Sequence, residues 1–392
     1  MMLGLKNRLL TVEMVCASVF CALSPFASAQ TNQESRAPTN RKQSIPAGIE
    51  LGLGMGYVLP HRNLMQHLVT DHSKRMSVAY GKQIVGGWTE GRHTEGTHWS
   101  GIELAWTELG GAALGSIVSG LWLNRFPGSK WGYGELGIGV GWSSRPWDPI
   151  DAPSSVAMST HWNAGLHAAW CISVFDGQRS AWTIKTRFTH FSNGALSLPN
   201  LGINNFGIDL NHQWRENHQV QKHTLKAFNP KTRIPFTLEI SLRGGARDVG
   251  LPGGPLHPIL NLHLLGHHKI KRAQSVGWAV AHDIGYNQSL RVTRAATGAV
   301  PPLGRTQWAV LGGLRWDFNR IQVTALQGWM LTNPDLELGH AHLMVTMHYK
   351  VNSAIAVELG LKSFQFRADY PFIGIQYQFG RIRKLKFNGS RK

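Results

Sequence analysis

Apolar and polar residues alternate over short stretches along almost all of this chain, and no other feature constrains the fold as strongly. Trp182–Phe191, Ile203–Trp214, Trp308–Phe318, Ile321–Met330 and Phe372–Phe379 are clear cases. Clusters of Gly, Pro, Asn and Asp separate the stretches. A period of two puts successive side chains on opposite faces of an extended strand, and the clusters are turn formers, so the chain reads as successive antiparallel strands. About fourteen such segments lie between Gly48 and Phe379.

Composition narrows the setting. The chain has 392 residues, of which 42% are hydrophobic and only 16% charged, with 44 glycines and 15 tryptophans. Plentiful aromatic and β-branched residues exclude intrinsic disorder. No uncharged apolar run of about 18 residues appears in the body of the chain, which argues against a helical membrane bundle. Long alternating strands with excess Gly and Trp point instead to a transmembrane barrel, with a soluble β-sandwich or propeller as the alternative. A polar interior face then explains a mean hydropathy of −0.17. The last segment fits best: Ile373, Ile375, Tyr377 and Phe379 share an apolar face, opposite Phe372, Gly374, Gln376 and Gln378. The expected fold is all-β, an antiparallel transmembrane β-barrel of about 12–14 strands spanning residues 47–379.

The flanks read differently. Lys6 and Arg8, the apolar run Met14–Leu23 and Ala27-Ser28-Ala29 form the pattern of a cleaved secretory signal peptide over residues 1–29. Cys16 and Cys21 would leave with it, so Cys171 has no partner for an internal disulfide. Residues 30–46 read as a polar linker, and 380–392 as a basic tail, solvated or touching anionic headgroups. A secreted barrel implies the outer membrane of a Gram-negative bacterium. One connection, Trp214–Pro235, is longer than the usual periplasmic turn, which predicts either a hidden short strand or an exception to that rule.

One stretch carries chemistry. Trp182, Ile184, Phe188, His190 and Ser192 share an apolar face, while Lys185, Arg187 and Asn193 lie on the other. On the next strand Asn204, Phe206, Ile208 and Leu210 share the apolar face, opposite Asn205 and Asp209. In a barrel the apolar faces meet lipid, so His190, Ser192 and Asn204 converge on the outer wall, where a histidine is costly without a purpose. A serine, a histidine and an orienting amide are the parts of nucleophilic acyl transfer. Ser192 would be the nucleophile, His190 the general base, and Asn204 the acceptor that fixes the ring. Asn193 or backbone N–H groups near Gly194 would meet the oxyanion. A His-x-Ser on a strand is by itself common, and residues i and i+2 stand about 6.6 Å apart, so the side chains must lean together.

At these residues the sequence resembles two families of outer-membrane lipid hydrolases. Both carry His-x-Ser-Asn on a barrel strand, with the third triad member twelve residues after the serine, as Asn204 follows Ser192. The first is the PagL-like lipid A 3-O-deacylases. That resemblance continues through Pro199-Asn200-Leu201-Gly202-Ile203, and departs at Asn204, where the family pattern has a glutamate. An amide can orient the imidazole but stabilises its cation less than a carboxylate does. The second family is outer-membrane phospholipase A, whose Ser-His-Asn triad matches in residue type. Its arginine after Ser-Asn-Gly, linked to calcium, is replaced by Ala195, so calcium is not implied. The resemblance implies an esterase acting on lipid A, with a phospholipase or a non-catalytic barrel as alternatives.

The remaining charge points the same way. Net charge is +18. A secretory signal argues against nucleic acid as partner, whereas the basic stretches Trp214–Arg233 and His267–Arg272 suit the phosphates of lipid A, lipopolysaccharide or phospholipid. His340-x-His342 and His267-His268 lack carboxylate or cysteine partners at a metal-binding spacing, so neither a metal nor a cofactor is expected.

Overall fold

The structure is a computed structural model that describes residues 48–379, apart from 61, 86–96, 130–131, 178, 216–235, 251, 271–272, 295–301, 319–320, 333–338 and 365–366. The expected signal peptide, linker and basic tail lie outside the described residues, as does most of the basic stretch after Trp214.

The described chain forms sixteen antiparallel strands. The first eight are β1 (Gly48–Val58), β2 (Ser73–Val85), β3 (Thr97–Glu108), β4 (Ser116–Ser129), β5 (Gly132–Ser143), β6 (Trp162–Asp176), β7 (Ser180–Ser192) and β8 (Ile203–Arg215). The second eight are β9 (Thr237–Asp248), β10 (Leu256–Ile270), β11 (Ala273–Asn287), β12 (Thr306–Phe318), β13 (Ile321–Thr332), β14 (Ala341–Lys350), β15 (Ile355–Phe364) and β16 (Arg367–Gln378). Class and strand direction are those read from the alternation. The closure is not: in place of one ring of 12–14 strands there are two closed barrels of eight strands each. β8 returns to β1, with Gly48 opposite Arg215 and Val58 opposite Asn205. β16 returns to β9, with Phe372 opposite Gly245. The long connection after Trp214 therefore joins one ring to the next and is not a turn within a ring.

Strand length and surface suit a bilayer. The strands have 10 to 15 residues, and a tilted strand needs about 9–11 to cross the hydrocarbon core. Ile49, Leu51, Leu53 and Met55 of β1 are exposed on the outside, as are Ile373, Ile375 and Tyr377 of β16. In the first barrel exposed tryptophans mark both ends of the wall. Trp142 and Trp162 pair at one end, and Trp182 and Trp214 stand near the other. Such aromatic positions belong at the headgroup levels.

An eight-stranded ring is just wide enough for side chains to fill it, and these fillings are charged. In the first barrel Glu50, Glu103, Glu135 and Asp209 face Arg75, Arg125, Lys185 and Arg187, all buried. Arg125 reaches Glu135 at 2.6 Å and Glu50 at 2.8 Å, Lys185 reaches Glu135 at 2.8 Å, and Arg187 reaches Asp209 at 2.9 Å. Arg75 pairs with Glu103. In the second barrel Arg243 pairs with Glu358 at 2.6 Å, Arg247 with Asp369, and Lys362 with Asp369 at 3.6 Å. Complementary charge within each ring gives each strand set a reason to close on itself, because a buried ion left unpaired costs several kcal/mol. One end of the first barrel is plugged by an apolar cluster that includes Val58, Met65, Leu68, Leu114, Ile117, Met158, Phe191 and Ile203.

Candidate active site

The site sits where β7 and β8 meet at the plugged end of the first barrel. Their antiparallel register places His190 directly opposite Asn204. Both side chains face outward, and His190 Nδ1 stands 2.7 Å from Asn204 Oδ1. The carbonyl oxygen of Asn204 is an acceptor, so Nδ1 carries the proton and Nε2 keeps its lone pair. Ser192 ends β7 on the same face, across from Ala164 of β6. It is only 6% exposed, because the β7–β8 connection folds over it.

That connection is built around Ser192. Gly194 N–H donates to Ser192 Oγ at 3.1 Å, and Asn200 Nδ2 donates to the same oxygen at 2.9 Å. With both acceptor positions of Oγ occupied, its own proton is left for a base. The side chain of Asn193 is committed to the loop: Nδ2 donates to Ser159 Oγ at 3.1 Å and to Ser197 O at 3.0 Å, and Oδ1 accepts from Ala195 N–H at 3.0 Å. Its backbone N–H reaches Asn200 Oδ1 at 3.4 Å.

Three residues of the connection have left-handed backbones: Gly194 (φ 69°), Ala195 (φ 70°) and Gly202 (φ 75°). At Gly202 a Cβ would lie 2.9 Å from His190 Cε1, so glycine is what lets the backbone close against the imidazole. Ala195 has no such freedom, and its conformation costs about 1–2 kcal/mol. It is held from the second barrel. Asp248 N–H donates to Ala195 O at 2.9 Å, and Asp248 Oδ2 accepts from Leu198 N–H at 3.0 Å. The ring of Pro371 lies 3.3 Å from where a Cβ on Gly194 would be.

Of the outward residues read from the alternation, His190 and Asn204 are in hydrogen-bond contact, and Ser192 lies two residues further along the same face of β7. Asp209 is inside, bound to Arg187. Sequence reasoning missed Asn200 as a donor to the serine, and missed Ser159, Asp248 and Pro371 as supports. Asn200 carried a signal only as part of the Pro-Asn-x-Gly-Ile stretch. Of the histidine pairs, His267 points inward to Arg315, with 3.4 Å between Nδ1 and Nη1, whereas His268 lies on the opposite face beside Trp278. His342 is buried against Phe364 and His340 stacks on Trp329.

Fold and site together define a membrane-type antiparallel β-barrel protein with a Ser-His-amide constellation on its outer wall. Residues 75–213, which lie wholly within the first barrel, match the family of lipid A 3-O-deacylases (PagL), and the chain resembles that family. Among solved structures the chain is similar to the outer membrane enzyme PagL, with 14% identity and a TM-score of 0.28 over 41% of this chain and 97% of that one. It is also similar to the KdgM porin, with 7% identity and a TM-score of 0.18 over 84% and 99% of the two chains. A mutant porin of Rhodopseudomonas blastica shows 10% identity and a TM-score of 0.19 over 85% and 99%. No curated protein matches the chain.

Proposed function

We propose that the chain is an outer-membrane esterase that removes an acyl chain from lipid A. The observation that carries this reading is the 2.7 Å contact of His190 with Asn204 on the outer wall, two residues from Ser192, inside the segment that matches the deacylase family. Ser192 stands two residues along the wall from the register of the Trp142–Trp162 pair. That is the headgroup level, where the ester bonds of a membrane lipid lie.

The chemistry follows from the groups present. Ser192 Oγ attacks the ester carbonyl carbon while its proton passes to His190 Nε2. Asn204 Oδ1 holds the ring through Nδ1–H. The carbonyl oxygen becomes an oxyanion beside Ser192, within reach of the Gly194 N–H and the Asn200 amide, which already converge on Oγ. Asn193 serves this arrangement by fixing the loop, through its side chain and through its backbone N–H to Asn200 Oδ1. When the tetrahedral adduct collapses, the alcohol leaves with the proton from His190. Water then attacks the acyl-serine, His190 takes its proton, and the fatty acid departs as Ser192 is restored. No metal or cofactor enters any of these steps.

The described parts of the basic stretches, at Trp214 and His267, stand at the strand ends remote from Ser192, so they do not contribute to this site. The direct test is mass spectrometry of lipid A from cells making the protein, where one acyl chain is lost with the wild type and none with Ser192→Ala. A second reading, a phospholipase, rests on Asn204 being an amide; calcium-dependent release of fatty acid from glycerophospholipid would favour it. The deacylase reading expects a rate that a calcium chelator leaves unchanged.

A further inference from the structure

The second barrel has a notch in its outer wall. On β9, Arg243 points inward to Glu358, and the next residue, Gly244, is exposed; a Cβ there would meet nothing within 4 Å. Larger outward residues stand around it: Ile373 on β16, Leu260 on β10 and Tyr286 on β11. With Gly245 and Pro258 they help to line a cavity of about 540 Å³. That size lies within the range of small-molecule sites, roughly 300–1,000 Å³.

The notch is joined to the candidate active site by direct contact. Gly245 pairs with Phe372, and the carbonyl of the preceding Pro371 lies 2.6 Å from a Cβ placed on Gly245. The ring of Pro371 packs on Gly194, whose N–H binds Ser192 Oγ. Four residues along β9 from Gly244, Asp248 holds the same loop at Ala195 and Leu198. Two packed residues therefore separate the cavity wall from the nucleophile.

We propose that this cavity receives an acyl chain of the lipid whose ester is presented to Ser192, so that the second barrel supplies part of the substrate site. The inference rests on the esterase reading above. The lining is largely apolar and belongs to the lipid-facing wall, where the surrounding molecules are acyl chains. Moving a chain from bilayer to cavity gains little from the hydrophobic effect, because lipid tails are as apolar as the wall. The gain is fit, so the cavity acts as a gauge of chain length and position more than as a source of affinity.

The test fills the notch. Full-length wild type, Gly244→Phe and Gly312→Phe are assayed in mixed micelles on esters of short and long acyl chains. Gly312 on β12 is the control, since it is also exposed and a Cβ there also meets nothing within 4 Å. Circular dichroism and heat-modifiable gel mobility report that each variant is folded. Gly244→Phe is expected to lower the ratio of long-chain to short-chain kcat/KM by about tenfold, the scale on which a pocket discriminates a methylene or two. Gly312→Phe leaves that ratio at the wild-type value. An unchanged ratio in Gly244→Phe, or an equal fall in both variants, overturns the cavity assignment while the esterase reading survives. Failure of wild type to hydrolyse any ester removes the esterase reading and the cavity assignment with it.

Discussion

Replacing Asn204 tests the least usual member of the site. Asn204 Oδ1 accepts from His190 Nδ1–H at 2.7 Å, and both residues are half-buried. During acyl transfer the ring becomes a cation, so this bond strengthens from neutral to charge-assisted. Hydrogen bonds to charged groups contribute about 1.5–3 kcal/mol. Neutral ones contribute about 0.5–1.5 kcal/mol, so the gain confined to the transition state is about 1–1.5 kcal/mol, and Asn204→Ala should lower kcat by about 5- to 13-fold. KM should change little, because the bond matters most once the ring carries charge. Asn204→Glu restores the carboxylate of the deacylase pattern. The carboxylate adds an ion pair to the imidazolium, a gain of up to about 1 kcal/mol at a half-exposed position and up to about fivefold in kcat. The assay is steady-state hydrolysis of an acyl ester in mixed micelles, with folding checked by circular dichroism. A kcat for Asn204→Ala within twofold of wild type would refute the orienting role, and the histidine would then need another partner.

The other expectations concern what supports the site. Asp248→Ala removes the acceptor of Leu198 N–H and loosens the loop that covers Ser192, so kcat should fall about tenfold, a loss of one buried hydrogen bond, and the loop should become easier to cleave in limited proteolysis. Asp248→Asn keeps an acceptor oxygen and should retain most of the rate; equal loss in both variants would point to the charge and not to the bond. Glu135→Ala leaves Arg125 and Lys185 to share Glu50 inside the first barrel, one buried cation short of an anion, at a cost of about 3 kcal/mol. Urea unfolding in micelles should show a lower midpoint, and an unchanged midpoint would mean the interior ions are not mutually stabilising.

How far the fold was legible depended on what filled each barrel. Fourteen of the sixteen strands announce themselves by alternation, and the two that do not are β2 and β10. In β2 the inward Arg75 lies beside the exposed Lys74, so the polar face spreads into neighbouring positions. In β10 His257, His263, His267, His268 and Lys269 crowd the pattern, and Pro258 interrupts it. Both become strands because their inward groups find partners: Arg75 with Glu103, and His263 with Asp283 at 3.2 Å. Alternation also says nothing about where a sheet closes. The closure of β8 on β1 depends on pairings about 150 residues or more apart in sequence, such as Gly48 with Arg215, and its one local trace was the long stretch after Trp214.

The site divides along the same line. His190, Ser192 and Asn204 were readable because a strict period of two assigns them to the outer face and the short connection returns the chain beside itself. Asn200 was hidden among ordinary turn residues. Asp248 and Pro371 were hidden because they come from the second barrel, and only the folded chain brings them to Gly194, Ala195 and Leu198.

One measurement bears most directly on the central claim. Lipid A is extracted from cells producing wild type or Ser192→Ala at equal membrane levels and analysed by mass spectrometry. Wild type is expected to yield lipid A lighter by one acyl chain, and Ser192→Ala intact lipid A. Intact lipid A in both cells, or the same loss in both, would contradict the claim.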